Sequence, residues 1–417
     1  MSTQDWSSSM AELDLVGFLR PGDTILVGQA TAEPLRLVDQ LLDTSETVEN
    51  LTVVCGYAQS PAWERATSGR LRIKSYAAHG PLRKLSRKGL LDIIPLHYSQ
   101  IEEVIVTRRL PIDIVLLQVG PADADGFYDL GATVDFTIAA VKYARAVIVE
   151  VNDQMPRTNS SMRLHISQVA ASISTSAPLA GSPSRPPSEC EKKVAANVAR
   201  LIPSGAMIQL GVGALADAIA HELHDRRQLS VRSGLVGDWL VDLYEAGALS
   251  AEPGNCVTGI ALGSNRLYSF LSDTDIVRME PISEQISDEA MKSGRPYISI
   301  NSGIEIDLLG QVGSEIAGGR YVGAVGGQGD FFRASRRSEG GLAIIAMPST
   351  SPWGSSRIVR ELAGPVTSLK SDVDVVVTEW GTAEISAASL SERAERITSI
   401  AAPEHRVALS NSLPIWI

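Results

Sequence analysis

Leu201-Ile-Pro-Ser-Gly-Ala-Met-Ile-Gln-Leu-Gly-Val-Gly213 is the stretch that decides the fold. A short apolar run ends on a Gly-x-Gly turn, and the chain then continues at helical spacing from Ala214 to Leu223. Leu19-Arg-Pro-Gly-Asp-Thr-Ile-Leu-Val-Gly28 echoes it and runs on into a second amphipathic pattern, Glu33 to Leu42. Asp113-Ile-Val-Leu-Leu-Gln-Val-Gly120 and Asp374-Val-Val-Val-Thr-Glu-Trp-Gly381 form another loose pair. Together they predict two structurally related α/β halves. The competing reading is convergent use of strand–turn–helix grammar, which is common in such folds.

Outward from these repeats, Leu51-Thr-Val-Val-Cys55 and Ala146-Val-Ile-Val-Glu-Val151 read as further buried parallel strands. Val134, Ile138 and Val141 stand at i, i+4 and i+7, the spacing of a helix face that covers a sheet. Ser174 to Ser188 carries four prolines and five serines with no apolar period, and reads as a linker. The expected organisation is a first α/β domain over 1–173, a linker over 174–188 and a second α/β domain over 189–417.

With 44% apolar and 20% charged residues, the 417-residue chain has material for a sizeable core and does not read as disordered. A net charge of −11 argues against nucleic-acid binding. No apolar run approaches the ~18–20 residues of a membrane span, and Met1 to Leu15 lacks a basic start followed by an apolar stretch, so the cytoplasm is the expected location. Cys55, Cys190 and Cys256 are odd in number and lack metal-ligand spacing, which argues against a disulfide framework and a zinc site. His221-Glu-Leu-His224 lacks the HExxH spacing and reads as a helix end, not a metal site.

Two glycine-rich segments carry chemistry. Gly211, Val212 and Gly213, followed by Ala214 and Leu215, place unpaired backbone N–H groups at the positive end of a helix dipole, where a phosphate, carboxylate or oxyanion can be held. Gly326, Gly327, Gln328, Asp330 and Phe331 form a second loop of close backbone approach, with Gln328 and Asp330 as polar handles and Phe331 as a flat surface for an adenine or pantetheine group. The blander readings are a sharp strand exit and an ordinary glycine turn before a strand. Cys55, at a strand end, is either a crevice nucleophile or a small buried hydrophobe.

Several colinear motifs make a resemblance specific: Glu150-Val-Asn-Asp-Gln-Met-Pro-Arg-Thr158, Ile208 to Gly213, Ser299-Ile-Asn-Ser-Gly-Ile-Glu-Ile-Asp-Leu308, Gly326 to Phe331, Ser356-Arg-Ile-Val359 and Val377-Thr-Glu-Trp-Gly381. In this order they resemble the acetyl-CoA hydrolase/transferase family, of the 4-hydroxybutyrate CoA-transferase type, from Gly22 to about Arg406. The resemblance implies a class I CoA-transferase fold: two related open α/β domains with an active-site crevice between them, often assembled as a homodimer. It also implies coenzyme A, as an acyl-CoA substrate, with a small carboxylate as second substrate and no metal.

The family's nucleophile is a glutamate in a His-Ser/Thr-Glu-Met segment that precedes an Asp-Gly-x-Val-Asp-Leu run. The matching stretch is Leu229-Ser-Val-Arg-Ser-Gly-Leu-Val-Gly-Asp-Trp-Leu-Val-Asp-Leu243, in register at Asp238 and at Val241 to Leu243. The glutamate falls on Gly234 and the histidine on Arg232. Glycine cannot form an acyl anhydride, so the usual covalent route is closed. Thr382 to Ala388 also replaces a segment that carries lysines near the CoA in relatives.

Three functions compete. The first is hydrolysis, decarboxylation or C–C cleavage of an acyl-CoA without a glutamyl-CoA intermediate, aided by an oxyanion site at Gly211 to Gly213. Arg232 would be a carboxylate clamp in that case, and otherwise a solvated surface arginine. The second is conventional transfer or hydrolysis through another carboxylate, for instance Glu33. The third is noncatalytic binding of an acyl-CoA or acyl carrier.

Overall fold

The computed structural model describes residues 13–66, 71–179, 181 and 184–411. Most of the start that was read for a leader, together with Ala180, Ser182 and Pro183 of the expected linker, lies outside the described residues. Among the described residues no helix is long and apolar enough to cross a membrane.

Two sheets organise the chain. The first holds β1 (Thr24–Val27), β2 (Leu51–Cys55), β3 (Leu71–Ser75), β4 (Leu91–Ile93), β5 (Ile114–Val119), β6 (Ala146–Asn152) and β7 (Ala171–Thr175). All are parallel, in the spatial order β4-β3-β2-β1-β5-β6-β7. The second holds β8 (Met207–Leu210), β9 (Ser230–Val236), β10 (Cys256–Ala261), β11 (Val277–Met279), β12 (Tyr297–Asn301), β13 (Leu342–Ala346), β14 (Val375–Thr378) and β15 (Gly381–Glu384). Its order is β11-β10-β9-β8-β12-β13-β14-β15, parallel except for the antiparallel edge strand β15. Every residue of β5 and β10 is buried, which explains why both are mostly apolar.

The two orders match strand for strand over seven strands. The echo between Leu19–Gly28 and Leu201–Gly211 therefore marks equivalent strands, β1 and β8, each at the point where its sheet's order reverses. The second echo does not: Asp113–Gly120 contains β5, whereas Asp374–Gly381 contains β14, the seventh strand of its sheet. The likeness is local. Asp113 Oδ2 accepts from Thr24 N (2.8 Å) and Asp374 Oδ2 from Ala343 N (3.0 Å), so an aspartate caps the neighbouring strand's start in both places.

Two helix expectations also shift. The first amphipathic helix is Leu35–Thr44, with Pro34 at its N-cap, which leaves Glu33 in the preceding turn. Val134 is not helical, because the helix there is only Thr137–Val141. Instead Val134 N donates to Gly259 O (2.7 Å) and Ala261 N to Ala132 O (2.8 Å), joining the two halves by backbone. One apolar cluster runs through this junction, from Leu26 and Val115 to Val231 and Ile298. Ser174 and Thr175 complete β7, and Ser188 closes a capping box with Glu191 that starts the helix Glu189–Ala199.

Candidate active site

In an open parallel sheet, the loops leaving the two strands at the order reversal part in opposite directions and leave a crevice at the carboxyl edge. In the second sheet those strands are β8 and β12, and a cavity of ≈ 120 Å³ lies there, lined among others by Gly211, Val212, Leu215, Asn301 and Ser302. Gly213 has φ +106°, a conformation that residues with a Cβ rarely adopt, and it caps the helix Ala214–Glu222. A Cβ on Gly211 or Gly213 would meet nothing among the described residues within 4 Å, so this backbone is open to a ligand. The Trp239 indole fixes the turn by donating to Gly211 O (2.8 Å). Gly211, Val212, Gly213, Ala214 and Leu215 thus come together at a helix start whose first N–H groups have no partner inside the helix.

The Gly326–Phe331 segment is a turn before a helix, Gln328–Ser335, not before a strand. Its handles differ from the expectation. Gln328 donates to Ser302 O (2.8 Å) and accepts from Ser368 Oγ (2.7 Å). Asp330 accepts from Ser99 Oγ (2.6 Å) and Ser99 N (3.0 Å). Phe331 is 4% exposed and presents no free face. These side chains bind the loop to Ser302 at the cavity and to the helix Tyr98–Val106 of the first half, where Tyr98 N also donates to Gly326 O (3.0 Å). What the loop leaves partly exposed is the backbone of Gly326 and Gly327.

Gly234 lies on β9, and a Cβ there would meet the Phe331 ring at 3.3 and 3.4 Å and Gln285 Oε1 at 3.9 Å. Arg232 sits two residues earlier on the same face of β9. It is not a fully solvated arginine, nor is it paired to an acid among the described residues: its half-buried guanidinium donates to Glu284 O (3.1 Å). Burial, then the neighbouring Arg278, lowers its pKa, so an incoming anion would relieve an unfavourable local field.

The alternative nucleophiles are differently placed. Cys55 is buried, its Sγ 3.8 Å from Lys74 O, and burial followed by the Glu33 charge pushes the thiol well above its usual range. Glu33 is 1% exposed and accepts from Gln59 N, Ser60 N (2.9 Å) and Trp63 Nε1 (2.6 Å), so its oxygens pin the Gln59–Trp63 loop. Burial raises its pKa to about 7 against the opposing pull of those donors. Other acids are engaged too: Asp238 with Ser264, Glu379 with Ser349, and Glu305 with Ala363 N.

Sequence reading missed Gln29 and Gln285. Gln29, just past β1, donates to Asp135 Oδ2 (2.6 Å) and Tyr98 OH (3.0 Å) and accepts from Tyr57 N (2.9 Å) and Tyr76 OH (2.6 Å). It gathers the carboxyl-edge loops of the first sheet into one buried cluster. The adjacent Gly56 was the available signal, since any side chain there would strike the Gln29 amide.

The comparisons agree with this architecture. The chain is 32% identical to the 4-hydroxybutyrate coenzyme A transferase of Clostridium kluyveri, over 93% of this chain and 92% of that one. RipA from Yersinia pestis superposes with a TM-score of 0.89 at 29% identity, covering 96% of this chain and 95% of that one. The 4-hydroxybutyrate CoA-transferase of Porphyromonas gingivalis superposes at 0.77 with 28% identity, covering 95% and 94%. The fold is the CoA-transferase fold of these structures. Signatures of the acetyl-CoA hydrolase/transferase N-terminal and C-terminal domains match residues 3–176 and 263–413. The chain belongs to the acetyl-CoA hydrolase/transferase family. Gly211–Leu215, Arg232 and Gly234 lie in the stretch between the two matched regions.

Proposed function

We propose that this protein is an enzyme that binds an acyl-CoA thioester at the β8–β12 switch point and processes it without a glutamyl-CoA intermediate. The observation that carries this reading is Gly234: where the resemblance puts the nucleophile, β9 offers no side chain, and the Phe331 ring packs against the position. The open backbone at Gly211 and Gly213 supports placing the thioester carbonyl there, where helix-start N–H groups would stabilise an oxyanion or enolate. In hydrolysis, water oxygen adds to the thioester carbon, the C–S bond breaks, and the sulfur leaves with a proton as the CoA thiol. In decarboxylation the C–C bond breaks with loss of CO2, and in C–C cleavage it breaks after water has added to the adjoining carbonyl, whose carbon leaves as an acid; in both the thioester takes the electron pair as an enolate, which then gains a proton at its α-carbon. Arg232 would draw the substrate's carboxylate. Homodimeric assembly and the domain limits 1–173 and 189–417 belong to the same reading.

The test is to incubate the protein with acetyl-CoA and acetate, then with borohydride or hydroxylamine, and to weigh its peptides. The expected result is no modified glutamate. A modified glutamate-containing peptide would restore the covalent route and overturn the proposal.

A further inference from the structure

We infer that Gln285 is a specificity-determining residue, its Oε1 receiving an O–H or N–H from the acyl part of the bound thioester. The inference rests on the acyl-CoA reading above and deepens it.

Gly234 lies beside Gly259 of β10, between the Ser233–Thr258 and Leu235–Ile260 register pairs. Two glycines abreast leave a trough in the sheet face, and the Gln285 side chain, from the short helix Ile282–Gln285, lies in it: a Cβ on Gly259 would come 2.9 Å from Nε2. Nε2 donates to Glu280 O (2.8 Å), which fixes the amide's orientation. Turning the amide over would set its oxygen against the Glu280 carbonyl. The acceptor end is therefore held toward Gly234, 3.9 Å from where a Cβ would stand.

Gln285 is 0% exposed, and its Oε1 has no hydrogen-bond partner among the described residues. A buried carbonyl oxygen without a donor is costly, and native folds rarely keep one that nothing completes. Gly234 is itself only partly covered, so a ligand seated against β9 can reach the place that this oxygen faces. The chemistry at this oxygen is selective: a hydroxyl or amide N–H on the acyl chain is accepted, whereas a methylene in its place leaves the acceptor unpaired.

The test uses CoA thioethers, which cannot turn over: S-butyl-CoA and its 2-, 3- and 4-hydroxybutyl counterparts, with affinities measured by calorimetry. In the unaltered protein at least one hydroxybutyl thioether should bind roughly tenfold more tightly than S-butyl-CoA, the magnitude of one added buried hydrogen bond. Gln285→Met should abolish the hydroxyl preference, whereas a purely packing role would lower all affinities alike. The inference is overturned if no hydroxybutyl thioether is preferred, as when a trapped water already serves Oε1, or if the preference survives Gln285→Met. If neither the thioethers nor CoA binds the unaltered protein, the acyl-CoA reading itself fails, and the inference with it.

Discussion

The Phe331 ring stands against Gly234: a side chain starting at residue 234 would meet ring carbons at 3.3 and 3.4 Å. The contact joins β9 to a segment far away in sequence, because Phe331 belongs to the stretch that Gln328 and Asp330 fasten to Ser302 and Ser99.

Gly234→Glu follows from this contact. The ring must yield by a few tenths of an ångström, so a loss of about 1–3 kcal/mol in urea denaturation is expected from overpacking. If the rest of the site is intact, the variant should acquire a hydroxylamine-sensitive CoA adduct on residue 234, read by peptide mass. A variant that folds and binds acyl-CoA yet forms no adduct would contradict the assignment of this position.

Gly213→Ala tests the turn at the switch point. At φ +106° a Cβ is strained whatever the available space, with an expected cost of roughly 1–3 kcal/mol. Rotation of the helix start should also weaken acyl-CoA binding. Thermal-shift titration measures both: an unchanged melting point and an unchanged ligand shift would refute the backbone's role.

Asp330→Ala removes the acceptor that holds Ser99 N and Oγ. Leaving a part-buried N–H without its partner should cost about 1–3 kcal/mol. Faster proteolysis around Gly326 is expected, and a protection pattern like that of the unaltered protein would show that the joint is not held there.

Glu33 gives a pH dependence. Its pKa lies at about 7 in the fold against an ordinary 4.5, so between those values the folded chain keeps a proton that the unfolded chain has lost. Stability should therefore fall as pH rises from about 4.5 to about 7 and level off above, by an amount of order 3 kcal/mol. Glu33→Gln should flatten this window in denaturant titrations at several pH values. An unchanged slope would assign the effect to other groups.

Parallel-strand runs and glycine turns are legible in sequence because burial on both faces and positive φ each restrict composition locally. On that basis β1, β2, β5 and β6 are legible close to their limits. The likeness of Asp113–Gly120 to Asp374–Gly381 misled for the same reason: an aspartate capping a neighbouring strand is a local device, and it occurs at the fifth position of one sheet and the seventh of the other. The sequence marks Gln328 and Asp330 as polar groups in a glycine-rich loop, but only packing shows that their partners are Ser302, Ser368 and Ser99.

By itself, then, the sequence determined the α/β class, the Gly-x-Gly helix start and the absence of a side chain at residue 234, each written in consecutive residues. Tertiary structure alone decided that Phe331 covers Gly234, that Glu33 anchors a loop, and that the Gln285 acceptor faces β9. The physical reason is range. Backbone conformation and burial pattern are governed by neighbours along the chain, whereas the company a polar group keeps depends on segments tens to hundreds of residues away.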